Sequence, residues 1–326
     1  MPRSLSQAAL LLLLSTASAL LAQTTPVFQA ETHLVTLTFS ARDSSGRFVD
    51  NLSRDDFAIY EDGMPQKISL FSRESELPLT LGIVVDASES QKKFVHQHLK
   101  DIHTFLASIL RPQDQAFALC FGDRLRLVSD LTADPAAISD GLERFDKGSR
   151  DFPEIEPDET RSGGSAVYDA IYASVHEKLA KAPGHRRALI LFTDGEENSS
   201  AHDEIDTIAE AQGADVLIYA IRYTEMKKHH LTAENHHGIA GLAHITAQTG
   251  GRDFDALHED IPRTFRQIGD ELRSVYSAGY YSTNKRHDDT FRKVVVEPHV
   301  NPHIEPHTDS QNVGITIRAK AGYYAH

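Results

Sequence analysis

Residues 79–90 read LTLGIVVDASES. Leu79, Leu81, Ile83, Val84 and Val85 form a short, nearly continuous apolar run, the pattern of a strand covered on both faces rather than one. The run stops abruptly at Asp86, and Ser88 and Ser90 follow at alternate positions. A covered strand that ends in polar loop residues belongs to an open sheet with helices on both sides.

Working outward from that strand, Gln91–Leu110 carries apolar residues at helical spacing. Phe117–Phe121 is the next strand, and Gly122 with Asp123 turns it into Leu125–Val128. So short a connection requires an antiparallel pair. Asp134 starts a helix over Pro135–Phe145, with Pro in its permitted first turn. Lys147–Gly164 lacks periodicity and reads as a surface loop. It ends in Gly163, Gly164 and Ser165, which lead into a helix over Ala166–Leu179. Ala188–Phe192 is a second buried strand and runs into Thr193, Asp194 and Gly195. Helices over Asp203–Gln212, Gly238–Thr249 and Ile261–Leu272 alternate with strands at Asp215–Ile221 and Phe254. The fold class is therefore α/β: a doubly wound, mostly parallel sheet with one antiparallel edge strand.

Both flanks change period. From Phe28 to Phe71 the residues alternate as in half-buried strands: Leu34, Thr36, Thr38 and Ser40 lie against Val35, Leu37, Phe39 and Ala41. Asp62-Gly63 suits a tight hairpin. After Tyr276, strands at Tyr276–Tyr280, Phe291–Val296 and Val313–Arg318 lead to Gly322, Tyr323 and Tyr324. Neither flank is large enough to hold itself together, so the two are expected to pair into one small β-sandwich with the α/β domain inserted between them. The expected division is a signal peptide over residues 1–22, an N-terminal β unit over 28–75, the α/β domain over 79–272 and the completing C-terminal strands over 274–326.

The signal-peptide reading rests on Arg3, the Ala and Leu run from Ala8 to Leu14, and small residues at Ala17, Ala19 and Ala22. It places the mature chain outside the cytoplasm, secreted or periplasmic. No later stretch is apolar for long enough to cross a membrane. The 326 residues carry a formal charge of -14, from 33 basic and 47 acidic side chains without a basic block, which argues against a nucleic-acid surface. A single cysteine, Cys120, forbids an internal disulfide framework and sits in an apolar run, where burial is expected.

Ligands of open α/β sheets collect at the carboxyl ends of strands, where the strand order reverses. Asp86 and Asp194 occupy two such ends, and Ser165 stands at a helix start. Asp86, Ser88, Ser90, Ser165 and Asp194 therefore form a candidate set of hard oxygen donors, suited to Mg²⁺ and less well to Mn²⁺ or Ca²⁺. With only two carboxylates, a bound ion would stay electrophilic enough to take an acidic side chain from a protein partner. The competing reading of each loop is an ordinary helix cap or strand-to-loop turn.

DASES at Asp86–Ser90, GGS at Gly163–Ser165 and TDG at Thr193–Gly195 together resemble the three loops of a von Willebrand factor type A domain. The EDG turn at Glu61–Gly63 and the terminal GYY at Gly322–Tyr324 extend the resemblance to the bacterial secreted proteins related to that domain. The resemblance implies a metal-ion-dependent adhesion site: direct coordination by Ser88 and Ser90, carboxylate roles for Asp86 and Asp194, and for Ser165 the role usually held by Thr. Ser165 keeps the hydroxyl but loses the methyl that restricts its rotamer. The function so implied is an extracytoplasmic, metal-dependent protein-binding module without catalytic activity. The alternatives are a metal-dependent hydrolase or phosphatase using Asp86, and a structural envelope component without an occupied metal site. No GxSxG, GxGxxG or GxxxxGK occurs to support an enzyme. Of the 18 His residues, His229, His230, His236 and His237 read as a polar loop, and His299, His303 and His307 each follow a Pro. Both groups read as solvated loop residues, with transition-metal binding as the lesser reading.

Overall fold

The computed structural model describes residues 34–122, 124–155, 164–224, 230–298 and 314–325. The expected signal peptide, Asp123, Gly163, His229, and His299, His303 and His307 lie outside the described residues. In chain order the elements are β1 (Leu34–Arg42), β2 (Phe57–Glu61), β3 (Met64–Gln66), β4 (Ile68–Arg73), β5 (Leu79–Asp86), α1 (Val95–Ile109), β6 (Gln115–Phe121) and β7 (Arg126–Thr132). There follow α2 (Pro135–Asp146), α3 (Val167–Ser174), β8 (Arg186–Thr193), α4 (Glu204–Gly213), β9 (Val216–Arg222), α5 (Ala233–Thr249) and β10 (Asp253–Asp255). The chain closes with α6 (Ile261–Arg273), β11 (Tyr276–Tyr281), β12 (Phe291–Pro298), β13 (Thr316–Ala319) and β14 (Gly322–Tyr324).

Six strands form the central sheet in the order β10-β9-β8-β5-β6-β7. All neighbours are parallel except β6 and β7, so the antiparallel edge strand expected from the short Gly122 connection is present. Every residue of β5 is buried. Leu81, Ile83 and Val85 face α1, α2 and α6 through Phe105, Leu142 and Phe265. Val84 faces the opposite layer, where Ile171 of α3, Ala211 of α4 and Leu242 of α5 pack. The strand order reverses between β5 and β8, which sets the open crevice at the carboxyl ends of those two strands.

The flanks build two further four-stranded antiparallel sheets, β13-β1-β11-β4 and β14-β12-β2-β3. Their shared core holds Leu37, Phe39, Phe57, Ile59, Tyr276, Val294 and Val296, so the N- and C-terminal strands complete each other. Asp62 and Gly63 adopt left-handed backbone angles, φ +48° and +79°, as the hairpin reading requires. The buried Glu61 before that turn accepts hydrogen bonds from the Tyr280 hydroxyl (2.8 Å), Ser282 Oγ (2.6 Å) and the Tyr323 hydroxyl (2.9 Å). Arg292 pairs with it at 3.3 Å. The Glu of the EDG turn and a Tyr of the terminal GYY thus meet inside the sandwich, 262 residues apart in sequence.

Two differences from the sequence reading have physical causes. Thr38 and Ser40 lie on the expected outward face of β1 yet are buried, because that face packs on the α/β layer. Thr38 Oγ1 donates to Asp215 Oδ2 at 2.8 Å, Ser40 Oγ donates to Glu271 Oε1 at 3.2 Å, and Lys320 Nζ pairs with Asp215 Oδ1 at 3.3 Å. Helix α5 begins at Ala233, five residues earlier than its apolar spacing indicated, so His236 and His237 are helical. Its start is set by a capping box in which Thr232 Oγ1 accepts from the Asn235 amide and Asn235 Oδ1 accepts from the Thr232 amide.

Candidate functional site

The crest of the sheet is organised by Asp86, the last residue of β5 and fully buried. Its Oδ1 accepts the Ser88 amide at 2.9 Å, which curls the DASES loop back over the strand end. Its Oδ2 accepts the Thr193 hydroxyl at 2.6 Å and ties β5 to β8. Burial, followed by the negative charge of Asp194, pushes the Asp86 carboxyl up to about 7, against the hydrogen bonds that favour its charged form.

Asp194 sits one residue beyond β8 and is equally engaged. Its Oδ2 accepts Gln91 Nε2 at 2.6 Å, and its Oδ1 accepts the Glu196 amide at 3.1 Å. Gly195 follows at φ +80°, and a Cβ there would stand 2.6 Å from the Gly238 carbonyl of α5. Both its conformation and its close approach to the helix require glycine. Ser88 Oγ and Ser90 Oγ lie 3.2 Å apart and share a hydrogen bond.

Ser165 joins the crest through its backbone. Its amide donates to Asn198 Oδ1 at 2.9 Å, and its carbonyl accepts the Asn198 amide at 3.1 Å. The Ser165 hydroxyl is buried and has no hydrogen-bond partner among the described residues. The following loop is latched to the start of α3 by two carboxylates. Glu197 accepts the amides of Tyr168, Ser199 and Ser200, while Asp169 accepts those of Ala201 and His202. Asn235 Nδ2 donates to Glu196 Oε1 at 2.9 Å and closes the loop on α5.

The structure thus brings Asp86, Ser88 and Asp194 into one bonded network through Thr193 and Gln91, links Ser90 to Ser88, and holds Ser165 to the TDG loop through Asn198. The expectation of a Mg²⁺ centre, with Mn²⁺ or Ca²⁺ as substitutes, is corrected by this arrangement. Among the described residues no three or more His, Cys, Asp or Glu side chains gather in a way that could hold a metal ion. The crest offers two carboxylates, and each of their four oxygens already accepts a protein hydrogen bond. Two carboxylates fall short of such a cluster, so a resident divalent cation is not supported. The adhesion-type metal motif, the magnesium cofactor and a binding function dependent on them fall with it. Sequence reasoning missed Gln91, Asp169, Glu197 and Asn198, whose only local signal was their position beside the DASES and TDG loops.

A family model described as von Willebrand factor type A domain matches residues 81–252. Among solved structures, the chain is similar to an aerotolerance-related membrane protein from Bacteroides fragilis, at 15% identity, 60% of this chain, 98% of that chain and a TM-score of 0.45. It is similar to the conserved hypothetical protein BatB from Bacteroides thetaiotaomicron, at 16% identity, 60% of this chain, 100% of that chain and a TM-score of 0.44. Proximal thread matrix protein 1 from the mussel byssus matches at 14% identity, 65% of this chain, 51% of that chain and a TM-score of 0.46. A search of curated proteins returns no match. Among the described residues, no helix is long and apolar enough to cross a membrane.

Proposed function

The chain belongs to the von Willebrand factor type A domain family, and from that premise we propose that it is a structural component of the cell envelope or surface, working through protein contact without a metal ion. Domains of this family are typically non-catalytic protein-interaction modules. The observation that carries the reading is the closure of the crest: each of the four carboxylate oxygens of Asp86 and Asp194 accepts an internal hydrogen bond, so the two residues hold loops together. In this role Asp86, Ser88, Ser90, Ser165 and Asp194 shape a rigid surface at the strand ends. The partner is a protein. Without a bound ion to take an acidic ligand, the contact does not call for an acidic partner residue.

The subgroup of bacterial secreted proteins, and with it a secreted or periplasmic location, is part of this proposal. It is supported by the residue pattern of Met1–Ala22 and by the contact of Glu61 with Tyr323. So is the division into a signal peptide over 1–22, β units over 28–75 and 274–326, and an α/β domain over 79–272. The half-buried pairs of Asp215 with Lys320 and of Glu271 with Arg42 support a module in which sandwich and α/β layer act as one body.

The test is thermal unfolding of the chain with added magnesium and with EDTA, alongside Asp86→Ala, and fractionation of the source cells. The expected result is a Tm indifferent to either addition, with the chain recovered in the envelope or external fraction. A magnesium-dependent rise in Tm that Asp86→Ala abolishes would refute the metal-free reading.

A further inference from the structure

A cavity of about 350 Å³ opens beside the crest, between the ends of β5 and β6 on one side and α1 and α2 on the other. Its body is apolar, walled by Val95 and Leu99 of α1 and by Leu142 and Phe145 of α2. The space equals roughly a dozen water molecules at about 30 Å³ each, which is the low end of small-molecule sites.

His98 of α1 also lines it and is fully buried. The imidazole lies against aromatic rings, with Tyr223 edge-on at 4.3 Å and Phe192 at 6.1 Å between centroids. Neither ring nitrogen has a hydrogen-bond partner among the described residues. A neutral imidazole carries one donor and one acceptor, and leaving both unmade in an apolar surround costs stability. The two nitrogens point in divergent directions, so one ligand group meets one of them, and a hydroxyl, which can donate or accept, suits either tautomer of that nitrogen.

The rim decides the charge of that ligand. Lys92 and Arg150 are set against Asp146 at the rim and Asp86 behind it. Lys92 pairs with Glu89, and Arg150 donates to the carbonyls of Phe145 and Ser149 while its guanidinium lies 4.4 Å from the Phe145 ring centroid. With the rim cations engaged and acids present, a charged ligand gains little over a neutral one.

We propose that this cavity binds a small neutral molecule of the alkylphenol class, its ring and alkyl groups among Val95, Leu99, Leu142 and Phe145 and its hydroxyl on His98. The site shares Asp86 and Ala87 with the crest, but ligand binding there does not require the protein contact proposed above.

The chain contains no Trp, so Phe145→Trp places its sole indole in the cavity wall. The experiment titrates the full-length parent by calorimetry, and this variant by fluorescence, with three probes of one shape: thymol, cymene, which lacks the hydroxyl, and cuminate, which is anionic. The expected order is thymol tightest, cymene weaker by about tenfold for the lost hydrogen bond, and cuminate weaker than thymol. His98→Phe erases the gap between thymol and cymene, and His98→Gln, which keeps a donor and an acceptor, restores part of it. Circular dichroism of each variant separates a lost site from a lost fold. No saturable thymol binding in the folded parent, leaving water as the only occupant, would overturn the proposal. Equal thymol and cymene affinities in the parent would overturn it too.

Discussion

Replacing Asp86 by Asn removes a buried charge while keeping its shape, and the structure sets both the sign and the size of the effect. The carboxyl stands at about 7 in the folded protein against 3.8 for an unperturbed group, because it is buried and faces Asp194. Between those values the folded chain keeps a proton that the unfolded chain has lost. Stability therefore falls as pH rises through this window, and the full penalty is present above it. A shift of about three units, at about 1.36 kcal/mol each, sets a ceiling of about 4 kcal/mol. Asn keeps an acceptor for the Ser88 amide but turns a donor towards Thr193 Oγ1, which costs about 1 kcal/mol. Asp86→Asn should then be about 3 kcal/mol more stable than the parent near pH 8, and about 1 kcal/mol less stable near pH 3. Urea unfolding of both proteins across that range measures the difference and cancels the titration of groups that do not interact with Asp86; Asp194, which does, is included in the measured effect. A variant less stable than the parent near pH 8, or a difference that does not change with pH, would show that Asp86 is held as a needed anion and refute the argument.

Further outcomes follow from other buried contacts. Glu61→Leu leaves Arg292, which is only 1% exposed, with the more distant and partly exposed Asp288 at 3.8 Å as its carboxylate; the expected loss is about 3 kcal/mol in urea unfolding, partly recovered by adding Arg292→Met. A loss below about 1 kcal/mol would mean the cluster does not hold the sandwich. Gly251→Ala drives a Cβ to 1.8 Å from the Ile218 carbonyl oxygen, a backbone atom that cannot move aside, and should cost about 3 kcal/mol or more. Gly213→Ala meets nothing within 4 Å and should be neutral or stabilising by up to about 1 kcal/mol, so equal melting shifts in the two variants would contradict the packing argument. Ser165→Ala deletes a buried hydroxyl without a partner among the described residues and should leave stability unchanged or raise it by about 1 kcal/mol; a drop above about 2 kcal/mol in the same assay would reveal a partner for that oxygen.

The correction at the crest shows where motif reading stops. DASES, GGS and TDG name oxygen-bearing residues in an order that suits an ion, but that order does not say which protein groups each oxygen meets in the fold. Gln91 directs its amide at Asp194 across 103 positions of sequence, and Thr193 reaches Asp86 across 107. Neither contact has a signature in spacing or composition.

What the sequence determined by itself is local and periodic. The two-sided apolar run at Leu79–Val85, the helical spacing after it, the Asp62-Gly63 hairpin and the short turn at Gly122 each follow from the geometry of one backbone segment, and each is legible from neighbouring residues alone. Tertiary structure decided the rest: that Thr38 and Ser40 are buried against the α/β layer, that α5 starts at its Thr232 cap, that Glu61 gathers Tyr280, Tyr323 and Arg292, and that the strand-end carboxylates accept hydrogen bonds from Ser88, Thr193, Gln91 and Glu196. Side-chain periodicity is fixed by the dihedral angles of a single element. The partner of a polar atom is fixed by the approach of elements distant in sequence, to within a few tenths of an ångström.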